Sequence, residues 1–488
     1  MLDVLIKGGT VVSPFDIFNA DIGVKDGKIA TVSKTSDENA DRIVSANGRL
    51  VFAGAIDAHT HLNDRYEFFG TRNPDDFESS SVAAACGGVT TFLEFARQIK
   101  GQSLVDCLDM WRRDADPKVI VDYGIHMIIT DVNREVIEEI PRLIQAGVPT
   151  FKLYMAYKNV LMVDDGSILD VMGAVARSGG LVGLHCENND LVEHARRGFK
   201  PGRGKYVDYF PPIIAEAEAV QRASLYACST NCKMYVVHLS TRLGREVARE
   251  GMTAGKSVFG ETCPHYLAFT DEVYSREDWP LFTVSPPIRG IDDQEALWAG
   301  LADGDIKIVA SDNAGRNRVD KMNAKDDITK MPVGISGIEV ILPILYTLGV
   351  KKGRISVNKM VEVTSYNPAV LFGLFPRKGI ISVGSDADIV VFDPRKEVRL
   401  SRDAMHSKID HSVFDHITAE GYPVVTISKG TIVWEDEQFE GKAGSGKYVP
   451  RSYSENLARK SSGAEKIKIS EVSGGPVHDS CMRPRREA

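Results

Sequence analysis

The sequence predicts an α/β protein, a (β/α)8 TIM barrel with a flanking β-sandwich domain formed from both chain ends. Residues 53–374 alternate short apolar segments with helical ones, which is typical of a parallel sheet. The residues on either side of this stretch show the same pattern of short strand segments and glycine-bearing turns. The middle stretch is long enough for a barrel, which typically takes about 250 residues, with loop insertions. A doubly wound open sheet is the alternative, but no GxGxxG motif follows an early strand.

Both ends of the chain are predicted to form the β-sandwich, through residues 1–52 and 375–450. The first part contains DVLIKGGTVV, ADIGVKDGKIATV and RIVSANGRLVF, and the second contains GSDADIVVFD and PVVTISKGTIVWEDEQFEG. The Asp-Gly pair at 26–27 predicts a hairpin turn, because both residues tolerate positive φ. Residues 451–488 are polar and basic, and we expect a weakly ordered tail or an arm that docks on another subunit.

The barrel, residues 53–374, is predicted from short apolar strands and from the helices between them. One strand ends in GAIDAHTHL (54–62). The other strand segments are TTFLEF (90–95), DYGIHMII (122–129), TFKLYMA (150–156), LVGLHC (181–186), KMYVVHLS (233–240) and IKIVAS (306–311), and the clearest helices are REVIEEIPRLIQAG (134–147) and EAEAVQRASLYACS (216–229).

The composition excludes several classes of protein. The formal net charge of −8 argues against nucleic acid as a partner, since phosphate binding favours a basic face. No apolar run reaches the roughly 18 residues of a membrane helix, and no signal peptide is recognisable. The seven cysteines form no CxxC pair, which favours free thiols in a reducing compartment. We therefore expect a cytoplasmic protein with no membrane or nucleic-acid partner.

Side chains that can bind metal follow the predicted barrel strands. His59 and His61 are two residues apart, so in a strand both point to the same side. Lys152 lies inside an apolar strand, where burial lowers the pKa of an amine. Other strand ends carry His185, His238 and Asp312. One such residue alone is better explained as a core residue, but their recurrence at five strands favours a site at the carboxyl ends of the barrel strands.

The chain resembles the amidohydrolase superfamily and, within it, the dihydropyrimidinase/hydantoinase family of cyclic amidases. The motifs that carry the resemblance are DAHTHL, FKLYMAYK, HCEN, VVHLS, ETCPHYL, SPPIR, ASD and GSDADIVVFDP, which span nearly the whole chain. The resemblance implies the barrel, the sandwich and two divalent metal ions, usually zinc. It also implies a hydrolase that opens a hydantoin or 5,6-dihydropyrimidine ring to an N-carbamoyl amino acid.

The resemblance also implies the role of each ligand. One metal ion would be bound by His59, His61 and Asp312, and the other by His185 and His238. Lys152 would bridge the two ions as a carbamate formed with CO2. A hydroxide shared by the two ions would attack the amide carbonyl. Asp312 would take the proton of this hydroxide and pass it to the leaving nitrogen.

Three further residues match substrate-contacting positions of the family. Tyr157 matches a tyrosine that hydrogen-bonds the developing oxyanion, with a packed loop aromatic as the alternative. Ser285 matches a serine whose main chain contacts the substrate ring. Val333 stands where the family usually has an asparagine. If that asparagine acts through its main chain, valine is tolerable; if its side chain matters, the substrate differs.

The sequence departs from the family at other positions. Asn313 follows Asp312 where histidine is usual, and one strand ends in Glu-Phe-Ala-Arg at 94–97. The first loop carries Arg65 and Arg72. We expect that Arg97 or Arg65 pairs with an anionic or strongly polar substituent of the substrate, while solvated loop charges are the alternative.

Other functions remain open at this stage. Related cyclic amidases act on allantoin, dihydroorotate, cyclic imides or anionic hydantoins, and some relatives are non-catalytic scaffolds that have lost ligands. Family members are commonly homotetramers, with a dimer as the alternative here. His265, Glu187, Asn188 and Asp57 are expected to support the ligands rather than to bind metal.

Overall fold

The computed structural model describes residues 1–63, 71–197, 199, 209–253 and 258–453. Within these residues the strands form two sheets, one of eight strands and one of nine. The eight-stranded sheet is parallel and forms the barrel, and the nine-stranded sheet, mostly antiparallel, is formed from both chain ends. The predicted fold class is therefore confirmed.

The described strands are numbered in chain order. They are β1 (Leu2–Val12), β2 (Ile17–Lys25), β3 (Lys28–Ser33), β4 (Ala40–Ser45), β5 (Leu50–Ala53), β6 (Ala55–Thr60), β7 (Val89–Arg97), β8 (Asp122–Ile128), β9 (Thr150–Tyr154), β10 (Leu181–His185), β11 (Lys233–Val236), β12 (Val258–Thr262), β13 (Ile306–Val309), β14 (Ile389–Arg399), β15 (Thr418–Ser428), β16 (Thr431–Glu435) and β17 (Gln438–Phe439).

The described α-helices mostly follow barrel strands. They are α1 (Phe77–Cys86), α2 (Leu104–Ala115), α3 (Arg134–Gln145), α4 (Asp165–Arg177), α5 (Asn189–Arg197), α6 (Ile213–Thr230), α7 (Arg242–Thr253), α8 (Pro264–Ala268), α9 (Ile291–Asp303), α10 (Arg318–Asn323), α11 (Ile341–Ile344), α12 (Val357–Val361) and α13 (Asn367–Leu371). In the described part of the chain, no helix combines the length and apolar character needed to cross a bilayer.

The barrel runs from β6 to β13 in chain order and closes at the carboxyl ends of its first and last strands. The main-chain N–H of His61 donates to the carbonyl of Asn313 at 3.0 Å, and the N–H of Asn313 donates to the carbonyl of His59 at 3.4 Å. The residues that follow β13 thus complete the ring. Closure places the end of β6 directly beside the segment that carries Asp312.

The half of the barrel interior nearest the strand starts is filled by apolar side chains. Ile56, Leu93, Tyr235 and Ile308 belong to one buried cluster there. Tyr235 packs so closely on Gly183 that a Cβ at that glycine would lie 2.5 Å from the tyrosine ring. Because this half is packed, the cavity lies at the carboxyl ends of the strands, as in other TIM barrels.

The outer sheet joins the two chain ends through β5 and β14. These strands pair antiparallel, with Val51 opposite Val391. The β2–β3 hairpin closes at Lys25 and Lys28, and the turn residues between them have φ values of 51° and 74°. The Asp-Gly hairpin prediction is therefore confirmed, since both turn residues adopt the left-handed conformation.

Beyond β17 the chain returns to the barrel. The carbonyl of Lys447 accepts a hydrogen bond from the N–H of Tyr123 at 3.0 Å, and the N–H of Val449 donates to the carbonyl of Tyr123 at 2.7 Å. The buried guanidinium of Arg451 donates to Thr150 Oγ1 at 2.8 Å. Residues 447–451 are therefore anchored near the starts of β8 and β9. The predicted tail beyond residue 453 lies outside the described residues.

One barrel strand, β12, is not among the predicted strands. Its sequence VFGET is short, contains a glycine and ends in polar residues. All five residues are nevertheless buried, because the strand lies between β11 and β13. Tertiary position rather than local propensity produces this strand.

Candidate metal centre

The structure brings the six predicted ligands to the carboxyl ends of five barrel strands. His59 lies in β6 and His61 directly after it, Lys152 lies in β9, and His185 is the last residue of β10. His238 and Asp312 follow β11 and β13. Alternation along β6 points both of its histidines into the same cavity, as the i, i+2 spacing predicts. Five of the six side chains, all except Lys152, line one cavity.

His59, His61 and Asp312 form the first group. Oδ1 of Asp312 lies 3.2 Å from Nε2 of His59 and 3.5 Å from Nε2 of His61. The ligand atoms of all three residues lie within 4.8 Å of one another. Two imidazoles and a carboxylate at this spacing suit a divalent cation such as zinc.

His185 and His238 form the second group. Nδ1 of His185 lies 3.0 Å from Nε2 of His238. Two ligands of one tetrahedral zinc ion lie roughly 3.3 Å apart, given Zn–N bonds of about 2.0–2.1 Å. The two groups are adjacent, since the rings of His59 and His238 have centroids 5.4 Å apart. This arrangement fits two neighbouring cations.

Lys152 is fully buried, and its Nζ has no hydrogen-bond partner among the described residues. It lies 5.0 Å from the ring of Phe95 and 4.9 Å from that of Tyr154. Burial lowers the pKa of Lys152 to about 8, although the carboxylates of Glu261 and Asp312 act in the opposite direction. A buried amine without partners is costly unless another group satisfies it, so Lys152 fits a bridging role.

Burial also keeps the histidines neutral, as metal ligands must be. It lowers the pKa of His61 to about 3, with further effects from Lys152, Arg316 and Arg97. The pKa values of His59 and His238 are well below the usual 6.5 for the same main reason. Uncharged imidazoles present lone pairs to a cation at neutral pH.

Buried carboxylates orient the ligands. Oε1 of Glu261 lies 2.6 Å from Nδ1 of His59 and accepts a hydrogen bond from the N–H of His238 at 3.2 Å. Oε2 of Glu187 lies 2.7 Å from Nε2 of His185. A carboxylate on one imidazole nitrogen leaves the other nitrogen for the metal. Asp57 acts on the backbone instead and accepts from the N–H of His59 at 3.2 Å.

Three residues of the site have left-handed backbone conformations that side chains other than glycine seldom adopt. The φ values are 65° for Tyr157, 39° for His238 and 49° for Asp312. Such conformations cost free energy and persist where the surrounding structure holds them. Their concentration at the strand ends marks this edge of the barrel as functional.

The predicted substrate-contacting residues line the same cavity. Tyr157, Ser285, Val333 and Arg97 all contribute to its wall. The Tyr157 hydroxyl donates to Oγ of Ser285 at 2.7 Å. Burial raises the pKa of Tyr157 above its usual value, so the phenol stays protonated and able to donate at neutral pH. Arg65 lies outside the described residues, whereas Arg72 is exposed.

Asn313, a departure from the family, has a structural role behind the ligands. Its Oδ1 accepts hydrogen bonds from the N–H groups of Gly337 at 2.8 Å and of Ile338 at 3.2 Å. Its main chain closes the barrel against β6. The asparagine thus holds the loop that follows Val333, and its side-chain oxygen is fully engaged in doing so.

Most of the chain matches a known sequence family. The sequence profile described as the amidohydrolase family covers residues 50–433. The chain belongs to the amidohydrolase family. Members of this family generally use a binuclear metal centre, and the His59–His61–Asp312 group is compatible with one.

Individual amidohydrolase relatives narrow the assignment. The D-hydantoinase of Geobacillus stearothermophilus is 38% identical over 456 residues, 92% of this chain and 96% of that protein. The dihydropyrimidinase of Rattus norvegicus is 36% identical over 462 residues, 92% and 88% of the two chains. The crystal structure of dihydropyrimidinase from Brevibacillus agri NCHU1002 matches with a TM-score of 0.89 and 35% identity, covering 93% of this chain and 99% of that one. Within its superfamily the chain belongs to the hydantoinase/dihydropyrimidinase family.

Two residues of this amidohydrolase site are not predicted from the sequence. Glu261 lies in β12, the strand that local propensity misses, and only its place in the ETCPHYL motif signals it. Arg316 follows Asp312 by four residues and lines the cavity beside Gly334. No sequence pattern marks it. His265, in contrast, is fully buried with its ring 4.2 Å from that of Tyr266, and it supports the local packing.

Proposed function

We propose that this protein opens a hydantoin or 5,6-dihydropyrimidine ring to an N-carbamoyl amino acid by metal-dependent hydrolysis. Its family makes it a hydrolase of carbon–nitrogen bonds in cyclic amides. The observation that carries the proposal is the pair of adjacent ligand groups in the same barrel mouth as a protonated tyrosine. The buried Lys152 of the same barrel has no hydrogen-bond partner for its Nζ among the described residues.

The proposed site holds two divalent cations, zinc in the first instance. One would be held by His59, His61 and Asp312, and the other by His185 and His238. Lys152, converted to a carbamate by CO2, would supply a shared anionic ligand between them. When bound, such cations polarise an amide carbonyl and lower the pKa of water towards neutral.

The chain's own residues would handle the proton and the oxyanion. Asp312 lies on the wall of the cavity beside His59, so its free carboxylate oxygen is placed to accept a proton from the attacking water. The same carboxyl then protonates the leaving ring nitrogen. The Tyr157 hydroxyl, now donating to Ser285, would turn to the oxygen of the tetrahedral intermediate.

Ring recognition would come from two backbone segments on the opposite side of the cavity. Ser285 and Val333 lie on these segments, which are joined by a hydrogen bond from the Gly334 N–H to the Thr283 carbonyl at 3.0 Å. A Cβ at Gly334 would lie 1.9 Å from the carbonyl oxygen of Ala314, so this position requires glycine. Valine is compatible with ring binding at position 333 if the contact with the ring uses the main chain.

The decisive test combines metal content with ring opening. Purified protein, reconstituted with zinc and bicarbonate, should bind about two metal ions per chain and open hydantoin or dihydrouracil. The N-carbamoyl product is followed by chromatography. Full metal occupancy without turnover on any cyclic amide would contradict the proposal.

Two alternatives differ from this proposal in identifiable ways. Allantoin, dihydroorotate, cyclic imides or an anionic hydantoin would use the same centre, and parallel assays separate them. A non-catalytic scaffold would lack ligands, whereas all six positions are present here and five of them line one cavity. The scaffold would also bind no metal on reconstitution.

We further propose a cytoplasmic homotetramer, with a dimer as the alternative. No disulfide joins the cysteines of the described ranges, in keeping with a reducing compartment. Phe15, between β1 and β2, and Ile43 of β4 are each 60% exposed and are available for contacts between copies. Light scattering measures the number of chains in the assembly.

We also propose two domains, one formed by residues 1–52 together with 375–450, and the other by residues 53–374.

A further inference from the structure

Two arginines line the cavity that holds the candidate metal ligands. Arg97 is the last residue of β7, and Arg316 lies in the segment that follows β13. Both β7 and the segment after β13 pair with β6 or its carboxyl end, so the two arginines lie on segments that flank the same strand. Arginine keeps its charge at all accessible pH values.

Arg316 is held in the wall of the cavity. It is only 4% exposed, and its Nη1 donates to the carbonyls of Gly315 at 2.9 Å and of Ala314 at 3.5 Å. Neutral carbonyls stabilise a guanidinium but do not neutralise it. Both arginines make further contacts, and both place positive charge at the cavity whatever those contacts are.

A carboxylate lies on the same cavity wall as the two arginines. Glu94 accepts hydrogen bonds from Thr60 Oγ1 at 2.7 Å and from the Leu62 N–H at 3.0 Å. The cavity thus combines an acidic group tied to β6 with two cationic ones.

Apolar side chains complete the wall. Phe95, Trp111, Ile128 and Leu161 line the cavity together with the two arginines. The aliphatic part of a substrate substituent would pack on these side chains. A charged group at the end of that substituent would contact a guanidinium. Planar guanidinium groups bind carboxylates through two parallel hydrogen bonds, which makes them selective as well as strong partners.

We propose that the preferred substrate is a cyclic amide whose ring carbon carries a short carboxylate-bearing substituent, bound by Arg97 and Arg316. This inference rests on the proposed ring-opening function and specifies its substrate class. The carboxylate would act as a handle that orients the ring against the metal centre. A purely apolar substituent would use Phe95 and Trp111 but would make no ionic contact with either arginine.

The test compares two substrates of nearly equal shape on metal-loaded enzyme. One is hydantoin with a carboxymethyl group at C5, and the other is its neutral carbamoylmethyl analogue. We expect wild-type kcat/KM to be about tenfold or more higher for the acid, the scale of a charge-assisted hydrogen bond. Arg97→Met and Arg316→Met should each reduce this acid-to-amide ratio by about the same factor.

Matched variants separate charge from folding. Arg97→Lys and Arg316→Lys keep the charge but lose the two parallel hydrogen bonds, so they should retain part of the preference that the methionine variants lose. Arg399→Met removes a 67%-exposed arginine of the outer sheet and should leave the ratio unchanged. Circular dichroism and metal content check that each variant is folded, and Arg97, which is half-buried, provides a second variant if Arg316→Met does not fold.

The possible outcomes are distinct. Equal wild-type rates for acid and amide, or equal losses on both substrates in the methionine variants, would overturn the inference while leaving ring opening intact. Turnover of neither substrate, nor of hydantoin and dihydrouracil, by fully metal-loaded enzyme would instead contradict the proposed function itself.

Discussion

Glu261 joins the two ligand groups of the candidate metal centre. Its Oε1 lies 2.6 Å from Nδ1 of His59, a residue of the first group, and accepts from the N–H of His238, a residue of the second. All three side chains are buried. Since Nδ1 of His59 faces the carboxylate, Nε2 is the nitrogen left for metal, and it is the one 3.2 Å from Asp312.

Replacing this carboxylate should weaken metal binding. Glu261→Gln keeps the shape but no longer stabilises the Nδ1–H of His59, so we expect metal affinity or activity to fall roughly 10- to 100-fold. Metal affinity is measured by competition with a chelator. Glu139→Gln is the control: Glu139 accepts from the Leu104 N–H at the start of α2, so its loss should affect stability and not metal binding. Unchanged metal affinity in Glu261→Gln would contradict the assignment.

Lys152 should be required for the full metal content. Lys152→Ala removes the group proposed to bridge the two metal ions, and we expect loss of metal and of ring opening together. A small carboxylic acid, such as acetate, should restore part of both by occupying the space of the missing side chain. Lys158→Ala is a suitable control, because that exposed residue lies just beyond Tyr157 and outside the ligand set. Wild-type metal content in Lys152→Ala would rule out the bridging role.

Tyr157 should act on the transition state rather than on substrate binding. Tyr157→Phe removes one donor to the developing oxyanion, and kcat should fall about 100- to 1,000-fold with little change in KM. Ser285→Ala removes only the present acceptor of the Tyr157 hydroxyl and keeps the main chain, so its effect on kcat should be much smaller. Steady-state kinetics on one substrate measure kcat and KM for both variants. Similar kinetic losses in the two variants would argue for a packing role of Tyr157.

Lys321 should hold the ring-binding segment. Its fully buried Nζ donates to the Leu281 carbonyl at 3.1 Å, the Thr283 carbonyl at 2.8 Å and Thr283 Oγ1 at 3.2 Å. Lys321→Met leaves these acceptors unpaired and should lower the free energy of unfolding by about 2–4 kcal/mol, while raising KM. The matched control Lys325→Met removes a single exposed hydrogen bond and should change neither. Denaturant unfolding measures the stability of both variants, and steady-state kinetics measure their KM values.

His406 should make stability depend on pH. Its hydrogen bond to Glu339 raises the pKa of His406 above 6.5 in the folded protein. Because the folded pKa exceeds the unfolded one, this stabilisation is fully present below pH of about 6.5 and is lost as pH rises through the folded pKa. The difference in unfolding free energy between wild type and His406→Gln should therefore decrease as the pH rises through the folded pKa of His406. A constant difference between the two proteins would show that the pair does not titrate.

Much of the fold and of the ligand set is predictable because the local signals are strong. The alternation that buries β6 also sets His59 and His61 on one side of the strand, and the Asp-Gly turn specifies the β2–β3 hairpin. Tertiary burial forms β12 despite its glycine and polar end. For this reason Glu261, which lies in that strand, is missed together with its role.

The sequence by itself determined the α/β class, the pairing of the chain ends into one outer sheet and the identities of the candidate ligands, because these depend on periodicity and residue chemistry. Only the tertiary structure decided which residues meet. Glu261 lies 202 residues from His59, and Arg316 reaches the cavity of Arg97 only because the segment after β13 closes the barrel against β6. Such contacts depend on barrel closure, which no local pattern encodes.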